Sequence, residues 1–243
     1  VIVVHARWAT LLHALGQRVR ARQLHQCALD AVLRVKGPLD TLYTPIVRVE
    51  LARACLSEGR LTDGLKLSEA VVAVYRQHYA GSLVLSAGLR THSALLAALG
   101  RPIEARALAE EAWILLESGS GGAIRPWRFN RLTLDLARLD LAESRTDMAM
   151  VTLNRFEPWP DSESPPPRPD EVERALLMAM VHLHRGEVED ALRHAQSAVD
   201  MVAQVAARGR QPSLEADASL TRGIVLLATG WHEAASSSIE CAM

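Results

Sequence analysis

Aromatic residues are scarce in this chain of 243 residues: they make up only 4% of it, whereas hydrophobic residues of all kinds make up 49%. The hydrophobic fraction is large enough to bury a core and argues against a disordered chain. That core must consist mainly of alanine, leucine and valine. Strands are enriched in aromatic and β-branched residues, whereas small aliphatic residues suit closely packed helices. The shortage of aromatic residues therefore favours a helical fold.

An excess of charge of either sign is also absent, since the formal net charge is −1. The chain lacks the basic surplus that would neutralise a nucleic-acid backbone, so we expect no direct nucleic-acid binding by this segment. Lys36 and Lys66 are the only lysines among 27 basic residues. Arginine suits bidentate recognition of carboxylates, although a GC-rich coding bias explains the same preference.

Disulfide-forming cysteines and membrane-spanning runs are missing as well. Cys27, Cys55 and Cys241 are odd in number and far apart, which is typical of small buried residues in a reducing compartment. No apolar run reaches the length of a membrane span, and no signal peptide is visible. We therefore expect a cytoplasmic location. Because the chain starts and stops inside apolar segments, we also expect it to be part of a larger protein.

A short turn sequence recurs along the whole chain at nearly constant spacing. Successive centres of this turn are 43, 41, 44, 42 and 44 residues apart, and all but one are glycine. The six centres are Gly16, Gly59, Gly100, Ser144, Gly186 and Gly230. Apolar patterns of helical period lie on both sides of each turn. The sequence therefore predicts about six helix pairs that tile the chain.

Small residues occupy fixed places in both helices of each predicted pair. Seven residues before the turns stand Ala9, Ala52, Ser93, Ala137, Ala179 and Gly223. Five residues after the turns stand Ala21, Gly64, Ala105, Ala149, Ala191 and Ala235. Twelve residues after them stand Ala28, Val71, Ala112, Phe156, Ala198 and Ala242, of which four are small. Small side chains at fixed places let two helix backbones approach closely where they cross.

This pattern resembles the tetratricopeptide repeat (TPR), whose consensus has small residues at the same three places. The resemblance covers essentially the whole chain, although Leu, His or Val mostly replace the consensus aromatic residues. The long period, near 43 residues, is similar to that of the MalT-like helical region of large LuxR-type transcription activators. It is also similar to that of the TPR arrays of bacterial kinases and kinesin light chains. The resemblance implies an all-α fold, a right-handed α-α superhelix (TPR-like solenoid) of about six antiparallel helix pairs.

Two connections depart from the regular spacing. The glycine-rich segment 118–122 lacks the Gly-Lys-Ser/Thr of a phosphate-binding loop, so we predict a flexible hinge there. The segment EPWPDSESPPPRPD, residues 157–170, predicts an extended loop, with a proline-recognition peptide as the alternative. The predicted domains are residues 1–156 with units one to four, a proline-rich loop at 157–169, and residues 170–243 with units five and six, the last one incomplete.

Residues suited to catalysis or metal binding form no diagnostic pattern, although the chain has nine histidines. His182 and His184 are two residues apart and would point in different directions on a helix, which does not favour chelation of one ion. His78 and His92 flank a turn without a cysteine or carboxylate cluster beside them. No nucleophile, metalloprotease or dinucleotide motif occurs. We expect no enzymatic activity, no metal and no cofactor.

The resemblance to TPR proteins implies a ligand groove lined by the first helix of each pair. The places that face such a groove lie 13, 10, 6, 3 and 2 residues before each turn, and they include Glu173 and Asp217. The predicted groove residues are Arg53, Arg90, Arg131, Arg138, Met180, Leu183, Ile224 and Leu227. Because arginines would bind carboxylates beside an apolar patch, we expect a protein or peptide partner of acidic and apolar character. Pairing of these arginines with neighbouring acids on an ordinary surface is the alternative.

The leading hypothesis for function is a non-catalytic binding or sensor module of a larger bacterial regulatory protein. It would bind a peptide, a protein segment or a small inducer in the groove. The alternative is a stand-alone TPR scaffold or adaptor that mediates protein–protein assembly. The apolar end of the sixth unit predicts a further helix or a second copy of the chain as its neighbour. We expect no membrane contact.

Overall fold

The computed structural model describes residues 4–5, 8–9, 11–12, 16–34, 40–118, 129–157, 167–206 and 212–242. In these ranges the chain forms eleven α-helices and no strand. The helices are α1 (Arg18–Arg34), α2 (Asp40–Ser57), α3 (Leu61–His78), α4 (Leu83–Ala98), α5 (Pro102–Ser118), α6 (Asn130–Ala142), α7 (Thr146–Leu153), α8 (Pro169–His184), α9 (Val188–Ala206), α10 (Pro212–Ala228) and α11 (His232–Glu240). The prediction of an all-α fold is confirmed.

Helices that follow one another in the chain pack against each other as pairs. The pairs are α2 with α3, α4 with α5, α6 with α7, α8 with α9, and α10 with α11. Helix α1 is the second helix of the first predicted pair; of its predicted partner, residues 1–15, the structure describes only short helical pieces. None of the described helices is both long and apolar enough to span a membrane.

The chain divides into two compact units, Val1–Arg125 and Pro126–Met243. The first unit contains α1–α5 and the second contains α6–α11. In each unit the first helices of neighbouring pairs also contact one another, α2 with α4 in the first unit, and α6 with α8 and α8 with α10 in the second. The predicted hinge lies almost wholly outside the described residues, as does the centre of the predicted proline-rich loop. The domain limits drawn at that loop stay a prediction.

Every predicted turn centre is a residue in the left-handed region of backbone conformation. Gly59, Gly100, Gly186 and Gly230 have φ between 73° and 79°, and Ser144 has φ 57°. From Gly59 onward, each centre and the residue after it donate backbone N–H groups to the last turn of the preceding helix, as at Ser144, where the two N···O distances are 3.0 and 2.8 Å. This double closure is the Schellman arrangement, which satisfies carbonyls that the helix end leaves unpaired. The turn predicted at Ser144 from the repeat spacing is therefore confirmed, although it lacks glycine.

The small residues lie where the two helices of a pair cross, and the first two columns are buried in every pair. A Cβ atom on Gly64 would lie 3.1 Å from the Cβ of Cys55, and one on Gly223 would lie 2.6 Å from Cγ1 of Ile239. Ser93 also forms a hydrogen bond at its crossing, because its Oγ donates to the carbonyl of Ala105 in the partner helix at 2.6 Å. Close backbone approach is thus the reason for the first two columns, as predicted, whereas Phe156 and Ala242 of the third column lie beyond the ends of α7 and α11.

The fourth pair is shorter than the sequence pattern indicated, because α7 ends at Leu153 and not at Phe156. The buried side chain of Asn130 holds the chain just beyond this end. Its Nδ2 donates to the carbonyl of Glu157 at 2.7 Å, and the Glu157 N–H donates to its Oδ1 at 3.0 Å. Phe156 still packs into the core, with the guanidinium of Arg174 lying 5.5 Å from the centre of its ring.

Candidate binding surfaces

The predicted groove residues fall into two groups, one in each unit. Arg53 and Arg90 lie on α2 and α4 of the first unit. The other six lie in the second unit on α6, α8 and α10, which are the first helices of its three pairs: Arg131, Arg138, Met180, Leu183, Ile224 and Leu227. We call the surface that these three helices form the first-helix face of the second unit.

Two of the predicted arginines on this face are bound by carboxylates of the same unit. Glu173 of α8 accepts hydrogen bonds from Arg131 of α6 at 2.8 and 2.9 Å and from Arg138 of α6 at 2.5 Å. Arg138 also reaches Asp135 at 3.1 Å, and Arg131 lies 3.4 Å from Asp170. The two arginines therefore connect α6 to α8 through one shared carboxylate. For them the structure supports the alternative that they pair with neighbouring acids.

Asp217 of α10 is the next carboxylate along this face. It lies close enough to Glu173 and Arg138 to interact with both electrostatically. Within the described residues no hydrogen bond or ion pair engages its side chain. We call Arg131, Asp135, Arg138, Asp170, Glu173 and Asp217 the charged cluster. It holds two positive and four negative side chains.

The surroundings act in opposite ways on two of these carboxylates. Burial acts to raise the pKa of Glu173, but the charges of Arg131 and Arg138 and their hydrogen bonds outweigh it, so this pKa lies below its usual value. Desolvation raises the pKa of Asp217, the negative charge of Glu173 raises it further, and Arg138 offsets only part of the rise. Glu173 is thus stabilised as an anion, whereas Asp217 is not.

Apolar side chains continue the first-helix face beyond the charged cluster. Leu220, Ile224 and Leu227 follow Asp217 along one side of α10 and are 44%, 37% and 44% exposed. Met180 and Leu183 of α8 are half-buried, and Leu183 packs against the cluster that contains Val225. We call Met180, Leu183, Leu220, Ile224 and Leu227 the apolar strip. Leucines and an isoleucine side by side in water form the kind of patch that partners cover.

At the equivalent positions of the first unit, Arg53 is held by hydrogen bonds and most of the positions on α4 are alanines. Arg53 donates to Glu50 at 2.9 Å and to the Thr91 hydroxyl at 3.2 Å, so it links α2 to α4. Arg90 of α4 is half-buried. The other α4 positions of this face are alanines: Ala87, Ala94 and Ala97 are half-buried, and Ala98, at the end of the helix, is exposed.

A histidine cluster that the sequence analysis did not identify lies at the turn between α8 and α9. His182 Nδ1 lies 2.6 Å from Glu187 Oε2, and the His182 ring stacks on that of His194 with centroids 5.1 Å apart. One donor atom each from His182, Glu187 and Asp190 lie within 4.8 Å of one another. The signal was present in the spacing of Glu187, which immediately precedes α9, from Asp190 and His194 on that helix, at intervals of three and four residues. The two carboxylates already have cationic partners, Glu187 in Arg185 and Asp190 in Arg193.

The other histidines considered from the sequence have local partners. His184 Nδ1 lies 2.8 Å from the carbonyl of Met180 in its own helix. His92 Nδ1 lies 2.8 Å from the hydroxyl of Ser68, which is buried and itself donates to the carbonyl of Leu65. A buried serine whose proton is engaged by a carbonyl is not accessible to a substrate. The Ser68–His92 contact is therefore structural.

Comparison with solved structures shows the same fold. A thermophilic TPR protein of Thermus thermophilus matches with a TM-score of 0.62 and 18% identity, covering 93% of this chain and 100% of that one. BtubC from P. vanneervenii matches with a TM-score of 0.60 and 17% identity over 83% of this chain and 78% of that one. The nearly identical TPR-like repeats of a putative kinesin light chain from Podospora anserina match with a TM-score of 0.58 and 18% identity, over 80% of this chain and 91% of that one.

The sequence matches no protein-family model and no curated protein. At 17% to 18% identity the structural likenesses establish the fold and leave the function to be argued from the surface. The TPR-like fold that the resemblance implied is confirmed by these structures. The similarity to LuxR-type activators stays a prediction.

Proposed function

We propose that this chain is a protein-interaction module whose two units bind segments of other proteins on their first-helix faces. The observation that carries the proposal is the charged cluster of the second unit lying directly beside an exposed apolar strip. Apolar side chains supply the free energy of association, and charged groups at their edge select the partner and its orientation. TPR-like neighbours with the same helix pairing are consistent with an interaction role.

We propose an acidic and partly apolar partner segment for the first unit only. Its basis is Arg90 of α4 beside the alanines of the same helix, where a guanidinium group can bind a carboxylate in bidentate geometry. Arg53 already binds Glu50, so at that position a partner carboxylate would compete with an existing ion pair. In the second unit Arg131 and Arg138 already bind Glu173, so a partner carboxylate would have to displace it.

Two roles fit such a module, and both remain part of the proposal. As a sensor within a larger cytoplasmic regulatory protein of the LuxR-type kind, it would bind a protein segment or small inducer and alter a neighbouring domain. As a scaffold or adaptor, it would hold partners together without changing its own conformation. The two roles differ in what binding does to helices outside the face.

Site-specific photocrosslinking tests the interaction role. A photoreactive phenylalanine is placed at Ala98 of α4 or at Ile224 of α10, both exposed on first-helix faces. Matched probes at Ala73 of α3 and Gln204 of α9 are exposed on second helices. We expect discrete crosslinked partners from the first two positions only. Equal capture at all four positions, or none at any, would contradict the proposal.

Hydrogen–deuterium exchange with the captured partner then separates the two roles. A scaffold is expected to show slower exchange only in the first helices that the partner covers. A sensor is expected to show changed exchange also in α3, α5, α7, α9 or α11, because a binding signal must alter elements away from the contact. Protection confined to the face excludes the sensor role.

A further inference from the structure

We propose that the first-helix face of the second unit binds a cationic amphipathic helix of a protein partner, with a lysine or arginine one turn before a row of leucine-like side chains. This inference rests on the proposed interaction role and specifies the partner of one of its two surfaces. It also reverses, for this unit, the acidic partner that the arginine positions favoured in the sequence.

The ion pairs already present on the face disfavour an acidic ligand. The charged cluster has four carboxylates against two guanidinium groups, and both guanidinium groups are already hydrogen-bonded to Glu173. Arg138 has in addition Asp135 as a partner at 3.1 Å. An acidic ligand would therefore have to break existing ion pairs.

Asp217 is the carboxylate of the cluster with which no cation forms a hydrogen bond or ion pair within the described part of the chain. Desolvation and the nearby Glu173 charge disfavour its ionised form, and so raise its pKa. A ligand ammonium or guanidinium group at this position would relieve both effects, because an opposite charge favours the ionised form. The electrostatic complement of the face is thus a single cation at Asp217.

The apolar strip has a length and spacing that match a short helix. From Asp217 to Leu227 the face runs ten residues along α10, which at 1.5 Å per residue is about 15 Å, or close to three helical turns. Helix α8, which contacts α10, contributes Met180 and Leu183 to the other side. Contacting helices lie about 8–10 Å apart, so a third helix fits along the valley between them. A helix of about three turns, with one cation at its start, matches this length and order of groups.

Fluorescence anisotropy with designed peptides and the full 243-residue chain tests the inference. The probe is a labelled 14-residue helical peptide with leucines at positions i, i+4 and i+7 and an arginine one turn before them. A second peptide replaces the arginine by glutamate, and a third replaces the leucines by glutamine. We expect the arginine peptide to bind about ten-fold more tightly than the glutamate peptide and the glutamine peptide to bind weakest.

Two protein variants assign the contacts, each with a matched control. Asp217→Asn is expected to weaken the arginine peptide about five-fold and to leave the glutamate peptide unweakened. Asp200→Asn, an exposed carboxylate on α9, is its control. Ile224→Gln is expected to weaken both leucine peptides about equally, whereas Met148→Gln, an exposed apolar residue on α7, is expected to change nothing. Circular dichroism and thermal unfolding verify that the four variants remain folded.

The outcomes separate this inference from the proposed function. Tighter binding of the glutamate peptide, or equal binding of both leucine peptides, overturns the inference and leaves the interaction role intact. If no peptide binds while crosslinking at Ile224 still captures a partner, the face binds a partner of different chemical character and the inference is wrong. Self-association in sedimentation velocity that Ile224→Gln abolishes would identify a second copy of this chain as the occupant, and would also overturn it. Failure of both peptides and crosslinking contradicts both proposals.

Discussion

Replacing Ser144 by glycine should stabilise the second unit, because Ser144 holds a backbone conformation that glycine adopts without strain. Its φ of 57° puts a side chain in the left-handed region, which costs about 1–2 kcal/mol for a residue with a Cβ atom. Glycine also gives the unfolded chain more conformational freedom, and this offsets about 0.4–1 kcal/mol of the stabilisation. The expected net gain is about 0.5–1 kcal/mol in the free energy of unfolding, or a rise of about 2–6 °C in the unfolding temperature for a unit of this size.

The assay is urea unfolding followed by circular dichroism, with Gly186→Ser as the mirror variant in the same unit. A Cβ atom on Gly186 would meet no other atom within 4 Å, so its φ of 74° is the only source of cost. We expect Gly186→Ser to lose about as much as Ser144→Gly gains, and the double variant to lie near the wild type. Ser144→Ala, which keeps the strain, should change little. A neutral or destabilising Ser144→Gly, with a neutral Gly186→Ser, would refute the assignment of strain to this turn.

Three further perturbations address the charged cluster and the helix crossings. Glu173→Gln should lower the free energy of unfolding by about 1–2 kcal/mol, because two arginines that are each about 40% exposed lose their shared partner. Since the pKa of Glu173 is depressed in the fold, its contribution is present above the unfolded-state pKa near 4.3 and should be lost in acid unfolding as pH falls through the folded value. Asp217→Asn should raise stability at pH 7 by less than about 1 kcal/mol, and this gain should shrink as the pH falls because Asp217, with its raised pKa, then becomes neutral itself; a loss of stability at pH 7 would contradict the repulsion by Glu173. Gly64→Val should cost about 1–3 kcal/mol in urea unfolding, because its Cβ would lie 2.7 Å from Leu95 Cδ2, whereas Thr62→Val on the exposed side of the same helix should cost little.

The turns and the crossing residues were predictable because both are local requirements with a fixed register. A left-handed turn needs glycine or a tolerated substitute, and a close crossing needs small residues at set distances from that turn. The register was strong enough to place a turn at Ser144 without glycine. The early end of α7 was not predicted, because the apolar pattern runs on to Phe156 while Asn130, on another helix, holds the backbone at Glu157 in a non-helical path.

The charged cluster was only partly predictable from the sequence. The position 13 residues before a turn selects Arg131 in the fourth pair, and the same position selects Glu173 in the fifth and Asp217 in the sixth. The opposite charges were therefore readable as neighbours on successive first helices, although the arginines alone suggested an acidic partner. The histidine cluster is different in kind, because the approach of His182 to Glu187 depends on how the turn at Gly186 redirects the chain.

The paired columns of small residues also bear on how a chain of this kind can grow. The distance from the small residue before a turn to the one after it is twelve residues in every pair, whereas the distance between successive turns varies from 41 to 44. Length therefore changes only outside the crossing, in segments that do not set how the two backbones meet. A pair is consequently a cassette that can be copied, inserted or removed as one block, while a single-residue insertion inside the twelve-residue interval would rotate every crossing contact on one helix by about 100°.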